Sequence, residues 1–177
     1  MPLPEPTTYP DLPWSLDGRI LFALRELLLA DAPLRTVLVR DDQVAILEMA
    51  TLLRVESLPA VPCLALAVLA DEEAETMSGY ASRFDTVVQL ALATAAPARW
   101  GDTQELLRSR VVAQIRRILR RDAGVLRGPD DEPLTEAVTR IQQVRLDATP
   151  LPSGLLLTLI NATYRSSIDS GTQEFLP

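Results

Sequence analysis

Five arginines, Arg110, Arg116, Arg117, Arg120 and Arg121, stand within one short stretch of this sequence. A guanidinium is planar, permanently charged and shaped to grip a phosphate or a carboxylate with two parallel hydrogen bonds. At about 100° per residue these five fall on one half of a helical wheel. Leu107, Val111, Ile115 and Ile118 fall on the other half. Three uses fit the pattern: contact with phosphates, pairing with the acidic surface of a neighbouring subunit, or the solvated outer side of a surface helix. Arg110, Arg117 and Arg121 are the candidate contacts on this face.

Two acidic runs are the complementary feature. Asp71, Glu72, Glu73 and Glu75 could offer oxygen ligands to a hard cation, but they lack the spacing and the glycine of a calcium loop. Asp130, Asp131 and Glu132 sit between prolines. Both runs read as solvated loops. Carboxylates are plentiful, yet no spacing selects a pair for acid–base work.

The remaining chemistry is mostly excluded. The chain has no histidine and no lysine, and Cys63 is its one cysteine. Histidine triads, Cys–His dyads and histidine-ligated zinc therefore fall away. Cys63 lies in an apolar run with no basic neighbour, which makes it a core thiol rather than a nucleophile. Seven scattered glycines form no phosphate-binding loop. Asn161-Ala162-Thr163 has the form of a glycosylation acceptor but falls inside an expected strand, so it reads as chance. No catalytic residue, cofactor site or metal site is expected, and the chain is read as not an enzyme.

Composition bounds the partners. Among 177 residues, 24 acidic side chains face 17 basic ones, for a net charge of −7. With a pI near 4.6 the chain lacks the positive field that draws proteins to nucleic acid. The apolar run Pro59–Ala70 is about 12 residues, short of the ~20 a membrane helix requires. No basic region precedes an apolar core at the N-terminus, so the expectation is a soluble, cytoplasmically made protein with no membrane partner.

The elements that must position these groups follow from periodicity. Residues 1–14 carry Pro2, Pro4, Pro6, Pro10 and Pro13, which excludes a helix and implies an extended arm. Leu12 and Trp14 would anchor it. A first helix is expected over Leu16–Ala30, capped by Ser15 or Asp17, with Ile20, Leu24, Leu27 and Leu28 inward, and ended by Pro33. Leu34–Arg40 alternates and reads as a strand or an extended segment. Residues 42–54 read as a short helix capped by Asp41 or Asp42, with Val44, Leu47 and Leu52 inward.

Val61–Ala70 and Thr86–Ala96 read as paired strands around the polar loop 71–85. The arginine-rich helix spans Asp102–Arg121, capped by Asp102 or Thr103, with Gly124 as its stop. Residues 124–134 are a turn-rich loop. Val138–Leu146 and Leu155–Tyr164 are the last two candidate strands, with a short helix over 134–141 as the alternative to the first, followed by a polar tail with an apolar tip at Phe175 and Leu176. The expected fold is α+β: a mostly antiparallel sheet of four or more strands flanked by helices. The expected organisation is an arm over 1–14, one domain over 15–166 and a tail over 167–177.

With the elements in this order, certain phrases stand out. Leu58-Pro59-Ala60-Val61 opens a strand, and Ile118-Leu119-Arg120-Arg121-Asp122 closes the helix. The loop Gly124-Val125-Leu126-Arg127-Gly128 follows, and the final strand reads Leu155 to Arg165, LLLTLINATYR. In these features the chain resembles the tail terminator and tail-completion (neck) proteins of tailed bacteriophages, over roughly residues 16–166. The resemblance implies a structural virion protein, assembled in the host cytoplasm into a homo-oligomeric ring, commonly a hexamer. Such a ring caps the tail tube protein, stops tube polymerisation and joins the tail to the head–tail connector. In a contractile tail it would also meet the sheath protein. DNA would pass through its lumen without specific binding, which an acidic ring favours. Leu12, Trp14, Phe175 and Leu176 would reach neighbouring subunits. Another head–tail connector component, a non-viral α+β domain binding a small ligand or nucleic acid, and an enzyme using carboxylates and a metal are the competing readings.

Overall fold

The computed structural model describes residues 15–47, 61–77, 81–95, 103–121, 124–129, 131–146 and 156–169. Helix α1, Leu16–Ala30, turns Ile20, Leu21, Leu24 and Leu28 into the core. Burial of each such side chain is worth roughly 1.5–3 kcal/mol. Ser15 holds the N-cap position without a side-chain cap bond. The Asp17 carboxylate accepts instead from the Gly18 amide at 2.9 Å.

The expected strand over Leu34–Arg40 is a correction. Ala32–Arg35 forms a short helix, α2, whose N-cap is Asp31. The Asp31 side chain accepts from the Leu34 amide at 2.8 Å. Pro33 starts this helix rather than merely stopping α1, because an amide missing in the first turn has no intrahelical partner to lose. Leu34 and Leu38 are the buried pair, four residues apart, while Thr36 is exposed. The spacing is helical, not alternating.

The short helix expected over 42–54 is also corrected. Asp41–Gln43 is a single 3-10 turn, and Val44–Ile46 is a strand, β1. The Gln43 side chain stabilises the switch by accepting from the Arg40 amide at 2.9 Å and donating to the Pro62 carbonyl at 2.7 Å. Residues 48–54 lie outside the described residues.

Strands β2 (Cys63–Met77), β3 (Ala81–Thr94), β4 (Ala137–Leu146) and β5 (Leu156–Asp169) complete a five-stranded sheet in the order β1-β2-β3-β5-β4. Among the described strands, β1–β2 is the one parallel pair. The fold is α+β with a mostly antiparallel sheet, as expected. Residues 71–77 and 81–85 continue the strands instead of forming a polar loop. Strand β3 is paired on both sides along this stretch, so its polar residues lie within a hydrogen-bonded ladder. Strand β5 likewise runs on to Asp169, past the expected start of the tail.

Helix α3, Gln104–Arg121, is capped by Thr103, whose hydroxyl accepts from the Leu106 amide at 3.2 Å. Helix α1 packs on β1 and β2, and α3 on β3, β4 and β5. Gln114 of α3 ties the two helical regions together, donating to both Asp31 oxygens at 3.0 and 2.9 Å. Beneath the helices lie Leu64, Leu66, Val88, Leu90, Leu92, Ile160 and Tyr164. A second cluster holds Cys63, Ala65, Ala67, Ala91, Ala93 and Leu157, the residues alternating with that face. Beside it Gln89 donates to the Asn161 side chain at 3.0 Å.

Candidate assembly surfaces

Helix α3 gathers positive charge on its outer side. Arg110, Arg117 and Arg121 are exposed and project within about 40° of one another on the wheel, over roughly 16 Å of helix. Arg120 is exposed beside them and Arg116 is half-buried. Val111, Ile115 and Ile118 are buried on the opposite side, and Leu107 packs partly under them. The structure therefore brings the three candidate arginines into one stripe. Leu12, Trp14, Phe175 and Leu176 lie outside the described residues.

Sequence reasoning missed a sixth arginine on this helix. Arg108 is buried, with 8% of its surface exposed. Its guanidinium pairs with Glu105 one turn earlier and reaches toward the Thr158 hydroxyl at 3.5 Å. The three-residue spacing of Glu105 and Arg108 was the available signal.

Strand β2 carries the opposing charge. Asp71 and Glu72 are exposed, and Glu73 and Glu75 follow in the same strand. Asp71 accepts from the Thr86 hydroxyl at 2.7 Å. Asp85 accepts from two nitrogens of Arg165, each at 2.9 Å.

Two grooves open beside these elements. One, about 650 Å³, lies between α1 and the 124–134 turn, where Phe22, Ala23 and Pro129 are flanked by Arg19, Glu26 and Arg127. Phe22 is 40% exposed there. The turn is anchored by buried Leu126 and Leu134, joined by a Leu134 amide to Leu126 carbonyl bond at 2.7 Å. Glu132 folds across Gly128 to pair with Arg19, and a Cβ at Gly128 would overlap the Glu132 carboxylate. The second groove, about 430 Å³, runs along β4 beside the end of α3.

The interior offers inert groups. Burial pushes the Cys63 thiol up to about 11 and raises the Tyr164 phenol as well. Among the described residues, no group of three or more carboxylates and cysteines is placed to hold a metal ion. No helix among them is long and apolar enough to cross a membrane.

No protein-family model matches the sequence, and no curated protein does. Among solved structures, a chain from the "Virion of native gene transfer agent (GTA) particle" is similar to this one. The two share 17% sequence identity with a TM-score of 0.45, over 86% of this chain and 98% of that one.

Proposed function

We propose that this chain is a structural virion protein of the tail terminator class. In this reading copies assemble into a ring on the end of the tail tube. The ring stops tube growth, and sheath growth where a sheath exists, and presents its other side to the neck. It works by contact and has no catalytic residues.

The observation that carries this reading is the agreement between the architecture implied by the family resemblance and the sheet described above. A mostly antiparallel sheet with helices packed against it arises from the order of elements the resemblance rested on. The segregation of charge supports it further. Exposed arginines line α3, whereas carboxylates concentrate in β2, in a chain with a net charge of −7. Such a surface suits oriented protein–protein docking, because complementary patches fix register and exclude wrong partners. The overall acidity disfavours adhesion of DNA to the ring.

Tube polymerisation tests the proposal. Purified tail tube protein from the same genome is allowed to polymerise with and without this chain, and tube lengths are measured by electron microscopy. Shortening of the tubes at substoichiometric chain is the expected result. Length distributions unchanged at equimolar chain would overturn the reading.

A further inference from the structure

The sheet ends in two unlike edges. On one side β1 pairs only with Leu64–Leu66 of β2, so among the described residues the outer edge of β2 from Ala67 to Met77 has no strand beside it. This stretch contains Asp71, Glu72, Glu73 and Glu75 and no basic residue. On the other side, among the described residues, β4 is the terminal strand and pairs with β5 alone. Its sequence, Ala137–Leu146, contains Arg140 and Arg145 and no acidic residue. The two open stretches are of nearly equal length.

An unpaired strand edge offers a row of amides and carbonyls to another strand. Charge decides which edge can come. Two β2 edges would set carboxylates against carboxylates, and two β4 edges would set arginines against arginines. Only β2 against β4 joins opposite charges. The groove beside β4 reinforces this choice. It is lined by Leu119, Val125, Val138 and Ile141, with Arg120 and Arg140 among the same lining residues. A strand laid on β4 would find apolar contacts together with two cations and one carboxylate, Glu136, which already accepts from the Ser167 hydroxyl of β5.

We infer that the acidic β2 edge of one copy adds to the β4 edge of the next, extending one sheet across successive subunits. A contact between two different surfaces propagates head to tail and closes into a ring when the rotation allows, rather than stopping at a twofold dimer. The inference rests on the self-association contained in the ring reading.

Cross-linking tests it. Glu72→Cys and Gln142→Cys chains are prepared separately; both positions are exposed, and the native Cys63 is buried. A short bismaleimide tolerates a shift of register by one or two residues. Covalent dimers should form on mixing the two variants and be scarce in either alone. A chain bearing both substitutions should give a ladder of covalent oligomers. As a second arm, Arg140→Glu should abolish association, and Glu72→Arg in the same chain should restore it.

Rings seen by native mass spectrometry that yield no cross-variant dimer overturn the edge pairing and leave the ring reading standing. Dimers dominated by Glu72→Cys alone overturn it in favour of a twofold contact. A chain that stays monomeric with tail tubes present overturns both.

Discussion

Asp85 and Arg165 face each other directly across the β3–β5 ladder, and both guanidinium contacts to the carboxylate measure 2.9 Å. The pair stands beside the start of the acidic stretch of β2, with Glu72 opposite Asp85, one residue beyond buried Thr86 and Tyr164. Two parallel contacts tie the side chains of neighbouring strands together at this register position.

A double-mutant cycle with Asp85→Asn and Arg165→Gln should give a coupling of about 0.5–1 kcal/mol in urea unfolding, since both groups are partly solvated. Amide exchange at residues 81–85 should accelerate in either single variant. A cycle closing at zero would remove the pair from any structural role.

Cys63 and Tyr164 give the fold a definite alkaline limit. With its thiol at about 11, native Cys63 is roughly one part in a thousand thiolate at pH 8. Thiol reagents should therefore act slowly on the folded chain and fast in urea. The folded value lies above the ordinary thiol value of 9.0, so the unfolded chain ionises first. The stabilisation is complete below pH 9 and is lost between pH 9 and 11. The raised Tyr164 phenol acts in the same direction at higher pH. Melting temperatures measured from pH 7 to 11 should fall steeply above pH 9. A flat profile would mean that Cys63 is open to water.

The arginine stripe separates stability from docking. Arg117→Glu replaces an exposed side chain, so the fold should change in stability by less than about 1 kcal/mol. The same substitution should weaken arrest of tube growth, with Arg117→Lys retaining part of the effect. Full activity of Arg117→Glu would remove that arginine from the docking surface.

The stripe also invites a phosphate reading, which salt titration can decide. A chain this acidic should leave duplex DNA unretarded in gel shifts at physiological salt. Tight binding that weakens steeply with added salt would favour a nucleic-acid-binding domain instead.

Much of the framework was legible where burial imposes a period. Val88, Leu90 and Leu92 alternate because one face of β3 meets the helices, and α3 shows its stripe for the same reason. The helix at Ala32–Arg35 was obscured by reading Pro33 as a stop, although Asp31 was positioned to cap a new turn. The outer parts of β2 and β3 were invisible for a different cause. Their stability comes from backbone pairing of β2 with β3 and of β3 with β5, and from contacts such as Asp71 to Thr86, which leave no apolar pattern. The arginine stripe was readable from the wheel, but Arg108 was not. Its burial depends on Glu105 and Thr158, and the latter is fifty residues away in sequence. The unlike sheet edges could not be foreseen, because strand order places β5, not β4, beside β3.

Cryo-electron microscopy of tail tubes assembled with this chain tests the central claim most directly. The account predicts a closed ring of this chain in direct contact with the terminal ring of tube protein. A ring bound to the head-side connector with no contact to the tube, or no density for the chain at the tube end, would contradict it.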